Sequence, residues 1–247
     1  MEQQTVLPLT AHKKLYEALC SLPGCILSSP GSFLYSAIST LKSGPYYLLG
    51  YNPGGDPSKI STSLKDQIQK CETEETNAFL DEFWAGSEQH PRYSRYQLNV
   101  QALCDAIDIK TRKMCASNLV FVRSIRVADV GKKMEDCWPI HSERAADVRK
   151  KMEDCFWPIH EAVLDIVMPS CIFAIGQGTY RTVMQRLGFG ERNTFESGHG
   201  SWRCRVSAGT YRNKPMKLIG FPHFSWYTLK GRGNVLSQVS HVTSVRL

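Results

Sequence analysis

Tyr46-Tyr47-Leu48-Leu49-Gly50-Tyr51-Asn52-Pro53-Gly54-Gly55-Asp56-Pro57-Ser58 is the stretch that decides the fold class. Tyr46 to Leu49 is a short apolar run bounded by turn residues, the pattern of a buried strand. It empties into Gly50, Pro53, Gly54, Gly55 and Pro57, which force a tight turn and let the backbone approach a ligand closely. Asp56-Pro57 reads as an N-cap and the first position of a helix, where proline's missing N–H is not needed. A strand, a glycine-rich turn and a helix in that order put a site at the strand's carboxyl end in open α/β sheets. Asn52 stands at that end with an amide that both donates and accepts. The structural alternative is a plain turn, where asparagine serves because it tolerates left-handed backbone geometry.

Three further apolar runs have the same character. They are Leu119 to Val122 (after Ala116-Ser117-Asn118), Ser170 to Gly176, and Met216 to Phe221. Helical patterns fall between them, at residues 11–21, 33–41, 63–70, 76–84, 98–107 and 179–187. Strands alternating with helices predict one α/β domain spanning residues 1–247, a three-layer α/β/α sandwich around a mainly parallel four-stranded sheet. A small hairpin is expected from Trp202 to Val206 and Thr210 to Arg212, turning at Ala208-Gly209. Within 128–160 lies a near-exact tandem repeat. Ala128 to His141 recurs from Ala146 to His160, with Arg149 in place of Gly131 and an inserted Phe156. The second copy leads into Glu161-Ala162-Val163-Leu164 and reads as a framework helix that Pro158 must stop or kink. The first copy reads as a surface excursion. His141 and His160 have proline nearby and no i, i+4 partner, so they do not read as metal ligands.

At 247 residues, with 42% hydrophobic and 21% charged residues, the chain can bury one sizeable core. No apolar run is long enough to cross a bilayer, and Met1 to Thr5 does not open a secretory signal. The expected setting is therefore the cytoplasm, nucleoid-associated, or the nucleus. Nine scattered cysteines without a C-x-x-C pair suggest reduced thiols rather than a metal or cluster site. A net charge of +7 permits a polyanionic partner.

Asn52, Asn118 and His223 each stand at or beside the end of an expected strand, and a parallel sheet gathers such ends on one edge. Two amides and an imidazole beside a Gly/Pro turn have the donors and acceptors to read the edge of a nucleobase. Taken singly, Asn118 could cap a turn and His223 could be a satisfied core histidine.

Gly50-Tyr51-Asn52-Pro53-Gly54 resembles the first motif of the uracil-DNA glycosylase superfamily, in the Gly-x-Asn-Pro-Gly form of its mismatch-specific and single-strand-selective branches. Ser117-Asn118-Leu119-Val120 resembles its uracil-reading strand, and Pro222-His223-Phe224-Ser225 is similar to its His-Pro-Ser motif. The likeness spans roughly residues 44–232. It implies a monofunctional glycosylase that flips uracil or a related deaminated base from DNA and hydrolyses its N-glycosidic bond. On this resemblance Asn52 would position the water and His223 would stabilise charge on the departing base. Asn118 would select the base, with Gly50, Tyr51, Pro53 and Gly54 forming the substrate turn. Gly55, Ser225, Lys230 and Arg232 would contact DNA. Phe224 stands where the family has proline, and Phe83, Trp84 and Tyr93 all qualify as the aromatic platform. No cofactor, metal or membrane is implied, and a monomer is expected.

Two rivals remain at this stage. One is a nucleotide-binding enzyme built on Gly176-Gln177-Gly178, which lacks the third glycine of a dinucleotide loop. The other is a non-catalytic DNA-binding module with the same fold.

Overall fold

The computed structural model describes residues 7–84, 90–124 and 145–245. Among them are eight α-helices and a six-stranded sheet in the order β2-β1-β3-β6-β5-β4. The strands are β1 (Tyr46–Gly50), β2 (Cys115–Asn118), β3 (Cys171–Ile175), β4 (Gly190–Glu196), β5 (Arg203–Tyr211) and β6 (Lys214–Phe221). β2, β1, β3 and β6 run parallel, while β5 and β4 extend the β6 edge antiparallel. The chain is thus α/β with a mostly parallel mixed sheet, and it has six strands rather than the expected four.

Each added strand has a local cause. β4 (GERNTFE) is exposed along almost its whole length, so it carries no apolar signature. The hairpin into β6 turns at Arg212 and Asn213, both at positive φ (50° and 62°), not at Ala208-Gly209. Two successive left-handed residues match the twist of a tight hairpin turn. Gly209 lies inside β5 because a Cβ there would collide with the ring of Phe189. The second parallel strand is also earlier than expected. Cys115–Asn118 pairs with Tyr47–Gly50, and the buried run Leu119 to Val122 leaves the strand. Leu119 and Val120 still donate to the carbonyls of Gly50 and Tyr51 (2.9 and 2.8 Å) before the chain meets Gly31.

Helices cover both faces. One apolar cluster joins Tyr47, Leu49, Ile172 and Leu218 to α1 (Leu7–Cys20), α6 (Ala145–Val167) and α7 (Gln177–Arg186). The other joins Leu48, Phe173, Ile219 and Phe221 to α5 (Arg95–Ala106) and α8 (Gly233–Ser244). Successive strand residues face opposite sides, so each central strand feeds both clusters and reads as continuously apolar. The remaining helices are α2 (Gly24–Ser28), α3 (Leu64–Cys71) and α4 (Ala78–Asp81). α3 and α5 open on capping boxes, Ser63 with Asp66 and Ser94 with Gln97. Asp56 caps Ser58 as expected, but only a single 3₁₀ turn (Pro57–Lys59) follows. The expected helix at 33–41 is likewise only a 3₁₀ turn (Ile38–Thr40), and that at 76–84 shortens to α4.

α6 carries the second repeat copy and runs on through Pro158 instead of ending there. An internal proline costs about 3 kcal/mol, and the residues around it are driven into the core. Phe156, Ile159 and His160 are essentially inaccessible, and Trp157 is buried. The first copy lies outside the described residues. His160 has both ring nitrogens engaged. Nε2 faces the Leu119 carbonyl at 3.1 Å and must donate, so Nδ1 accepts from the Tyr47 hydroxyl at 3.0 Å. Among the described residues seven cysteines are free thiols, whereas Cys25 is disulfide-bonded, a departure from the all-thiol expectation. Among the described residues no helix is long and apolar enough to cross a membrane.

Candidate functional site

The carboxyl ends of β2, β1, β3 and β6 lie on one edge of the sheet, and each delivers a different group. Gly50 ends β1 and Asn118 ends β2, directly paired in register. The Asn118 side chain folds across Gly50, where a Cβ would collide with Asn118 Oδ1. Glycine is required here by the space it leaves, not by its backbone angles. Asn118 is 5% exposed, yet its Nδ2 has no hydrogen-bond partner. A buried amide without partners costs on the order of 1–3 kcal/mol, so a folded chain keeps one for a reason.

Tyr96, on α5, links this pair to His223. Its hydroxyl lies 3.2 Å from the point a Gly50 Cβ would occupy, and its ring meets that of His223 edge-on at 5.9 Å. His223 also backs onto the turn after β3. Gly176 has φ 96°, and a Cβ there would sit 3.5 Å from His223 Cδ2. The Ser225 backbone N–H donates to His223 Nδ1 at 3.3 Å, which leaves the proton of a neutral ring on Nε2. Burial pushes the imidazole pKa below its ordinary value, favouring that neutral form. The group is therefore a neutral hydrogen-bond donor.

Asn52 sits in the turn after β1. Its Nδ2 donates to the Pro53 carbonyl and to Ser124 Oγ, both at 2.9 Å. Those two bonds fix the amide plane and direct Oδ1 as the acceptor. Tyr51 is buried and ties the same turn to α6, its hydroxyl donating to Glu153 Oε1 at 2.9 Å. Thr182 of α7 donates to the other oxygen of Glu153 at 3.1 Å. Burial, reinforced by that carboxylate, raises the Tyr51 pKa far above its usual value and keeps the phenol neutral. Gly54 and Gly55 are exposed at the tip, and Gly55 has φ 100°. Arg123 braces this tip by donating from Nη1 to the Gly54 carbonyl. Its charge also acts on Tyr35. Burial nevertheless dominates there and pushes the Tyr35 pKa up to about 12.

The loop that carries His223 is held from behind by a residue with no motif. Asn99 of α5 donates to the carbonyls of Phe224 (3.1 Å) and Tyr227 (2.6 Å) and accepts from the Leu229 N–H (2.7 Å). Phe224 is fully buried against Tyr96 and Phe221. Ser225 and Lys230 are exposed on this loop, and Arg95 donates to the Ser225 carbonyl at 3.1 Å. Arg232 is committed inward. Its guanidinium donates to the carbonyls of Thr228, Ser197 and Gly198 and lies 5.0 Å over the Tyr227 ring.

The structure thus brings Gly50, Asn118 and His223 together through Tyr96, and it aligns Tyr51, Asn52, Pro53 and Gly54 in one braced turn. Arg232 belongs to the scaffold rather than to an open phosphate site. Of the three aromatic platforms considered, Phe83 and Tyr93 are largely exposed. Trp84 instead packs with Tyr35, Phe79 and Tyr96. Tyr35, Tyr96, Asn99, Arg123 and Glu153 escaped the sequence reading because only tertiary contacts give them meaning. The turn at Gly176-Gln177-Gly178 opens α7, but His223 and Tyr51 lie against it. Comparison with family models and with curated proteins finds no match for this chain.

Proposed function

We propose that this chain is a monofunctional DNA glycosylase with a three-layer α/β/α fold, acting on uracil or a related deaminated base. The observation that carries the reading is the orphaned Nδ2 of Asn118, buried at the carboxyl edge of the sheet beside a neutral histidine donor. An amide offers one donor and one acceptor in a plane, which matches the O4 and N3–H edge of uracil and mismatches cytosine. The base reaches such a depth only when extruded from the helix.

In the reaction, Asn52 Oδ1 accepts a hydrogen bond from water and holds it at the sugar C1′. The C1′–N1 bond breaks with its electron pair going to the base, and negative charge accumulates on the uracil O2. His223 Nε2–H donates to that oxygen, and a donor aimed at developing charge is worth more in the transition state than in the ground state. The water oxygen adds to the oxocarbenium-like carbon and its proton leaves to solvent. An asparagine amide does not take a proton at neutral pH, so Asn52 orients the water and is not a general base. On this reading exposed Lys230 and the exposed Gly54-Gly55 turn would meet phosphates.

The test is incubation with single- and double-stranded oligonucleotides carrying one uracil, followed by alkali. Strand scission at the uracil is expected. Retarded migration without scission would replace the enzyme with a DNA-binding module of the same fold, and the absence of both scission and retardation would overturn both readings.

A further inference from the structure

Beyond the edge that holds Asn118 and His223, the antiparallel extension carries a second feature. β4 and β5 are joined by Ser197-Gly198-His199-Gly200-Ser201-Trp202, with Gly198 and Gly200 at φ 69° and 53°. The loop is tightly built. Ser197 Oγ donates to the Trp202 carbonyl (2.8 Å), Ser197 N donates to the same oxygen (3.3 Å), and Trp202 N donates to the His199 carbonyl (3.1 Å). His199 N in turn donates to Ser197 Oγ at 3.2 Å. Two rings stand out of this frame. His199 and Trp202 face each other at 4.7 Å between centroids and 52° between planes, and Trp202 is 41% exposed.

The loop is fastened to the His223 loop through Tyr227 and Arg232. The Tyr227 hydroxyl donates to the Ser197 carbonyl at 2.7 Å, and Arg232 donates to Ser197 and Gly198. Trp226, next to Tyr227, is 73% exposed. An aromatic pair held rigid by backbone bonds and left in solvent forgoes the burial that normally stabilises tryptophan. The adjoining His223 loop carries exposed Lys230, and exposed Arg95 donates to its Ser225 carbonyl, while Arg232 is committed to backbone carbonyls and Arg203 is paired to Glu196 at 3.2 Å. Unpaired bases offer aromatic faces and a neighbouring anionic backbone, and stacking on exposed protein rings beside cations is how single strands are held. A base inside an intact duplex has no free face to offer.

We propose that His199 and Trp202 form a stacking platform for unpaired nucleotides of the DNA strand that enters the site. It would favour single-stranded or locally opened DNA over intact duplex. The proposal rests on the nucleic-acid part of the function proposed above, not on turnover.

The test uses a fluorescent, lesion-free oligothymidylate and a lesion-free duplex of the same length. Anisotropy titrations are run at one salt concentration with the parent protein, Trp202→Ala and Trp202→Phe, and thermal melting checks each fold. Trp202→Ala is expected to weaken single-strand binding about tenfold, the scale of losing one stacked base. Duplex binding should change less than twofold, and Trp202→Phe should restore most of the loss. Equal weakening on both DNAs, unchanged single-strand affinity, or no binding by the parent would each overturn the platform. Uracil excision is measured on the same proteins. A parent that excises nothing while Trp202→Ala loses single-strand affinity keeps the platform and sinks the glycosylase. Excision with an unchanged Trp202→Ala does the reverse.

Discussion

The two edges of the parallel strands differ in what they leave unsatisfied. At the amino edge, between the starts of β1 and β2, lies a cleft of about 690 Å³ lined by Lys42, Tyr46, Asp108 and Lys113 among others. At the carboxyl edge the polar chemistry is concentrated. Three buried side-chain nitrogens lack partners among the described residues: Asn118 Nδ2, Arg123 Nε and Arg205 Nε. Two of them belong to the carboxyl edge and none lines the amino-edge cleft. A void is cheap at a surface, whereas an unpaired buried donor is costly and persists only where something else is served. Unsatisfied polarity is what separates the edges.

The sharpest way to break that comparison is to remove the donor at the carboxyl edge. His223→Ala should slow single-turnover excision of uracil by about a hundred- to a thousandfold, the usual cost of one donor to a developing anion. Asn52→Ala should cut the same rate while leaving affinity for abasic DNA nearly intact. Gly50→Ala should displace the Asn118 side chain and blur discrimination between uracil and cytosine. Parental rates in His223→Ala and Asn52→Ala together would remove the distinction between the edges. Burial lowers the His223 pKa, so the rate should stay flat through neutral pH and fall only below the ordinary imidazole range, where a proton on Nδ1 displaces the Ser225 N–H that holds the ring.

A second comparison sets His160 against His223, one sealed within the framework and one at the rim. Burial takes the His160 pKa down to about 4. The unfolded chain then binds the extra proton first, so stability is full above pH 6.5 and is lost as pH falls toward 4. That single group accounts for about 3 kcal/mol over the interval. Urea unfolding at a series of pH values should show the loss, and His160→Gln should flatten it. An equally steep profile in the variant would assign acid lability elsewhere.

Smaller effects sharpen the picture further. Lys230→Ala should lower the salt dependence of DNA binding by about one unit without changing sequence preference. Arg232→Ala should lower the melting temperature instead, because its bonds are internal. The least effect is expected at the other edge. Lys113→Ala should leave excision within about twofold of the parent, and a larger loss would make the amino-edge cleft part of the site.

How much of this was legible in the sequence follows from what kind of force set each element. β1, β3 and the buried end of β6 are continuous apolar runs because helices cover both their faces, and such runs can be read directly. β2 was displaced by four residues. Leu119 to Val122 is the more apolar run, yet hydrogen bonding to β1 falls on Cys115–Asn118, and burial alone cannot say which. β4 was invisible because an exposed edge strand needs no apolar face. In the site, Asn52, Asn118 and His223 were visible through their places near strand ends and through resemblance to a motif. Tyr96 and Arg123 were not, since an aromatic in a helix and a lone arginine acquire a role only from what the fold sets beside them.

Asn99 has a consequence for how freely the His223 loop can change. Its three bonds go to the backbone of Phe224, Tyr227 and Leu229, never to their side chains. A clamp of that kind is blind to the letters it holds. The loop can exchange Ser225, Trp226 and Thr228 without losing its course, and it does not depend on a ring-locked residue at position 224 for stiffness. Phe224 can therefore occupy the position where a proline is expected and contribute core packing there. Shape and sequence are uncoupled in this loop, so its exposed side chains are free to drift while the histidine stays where the sheet puts it.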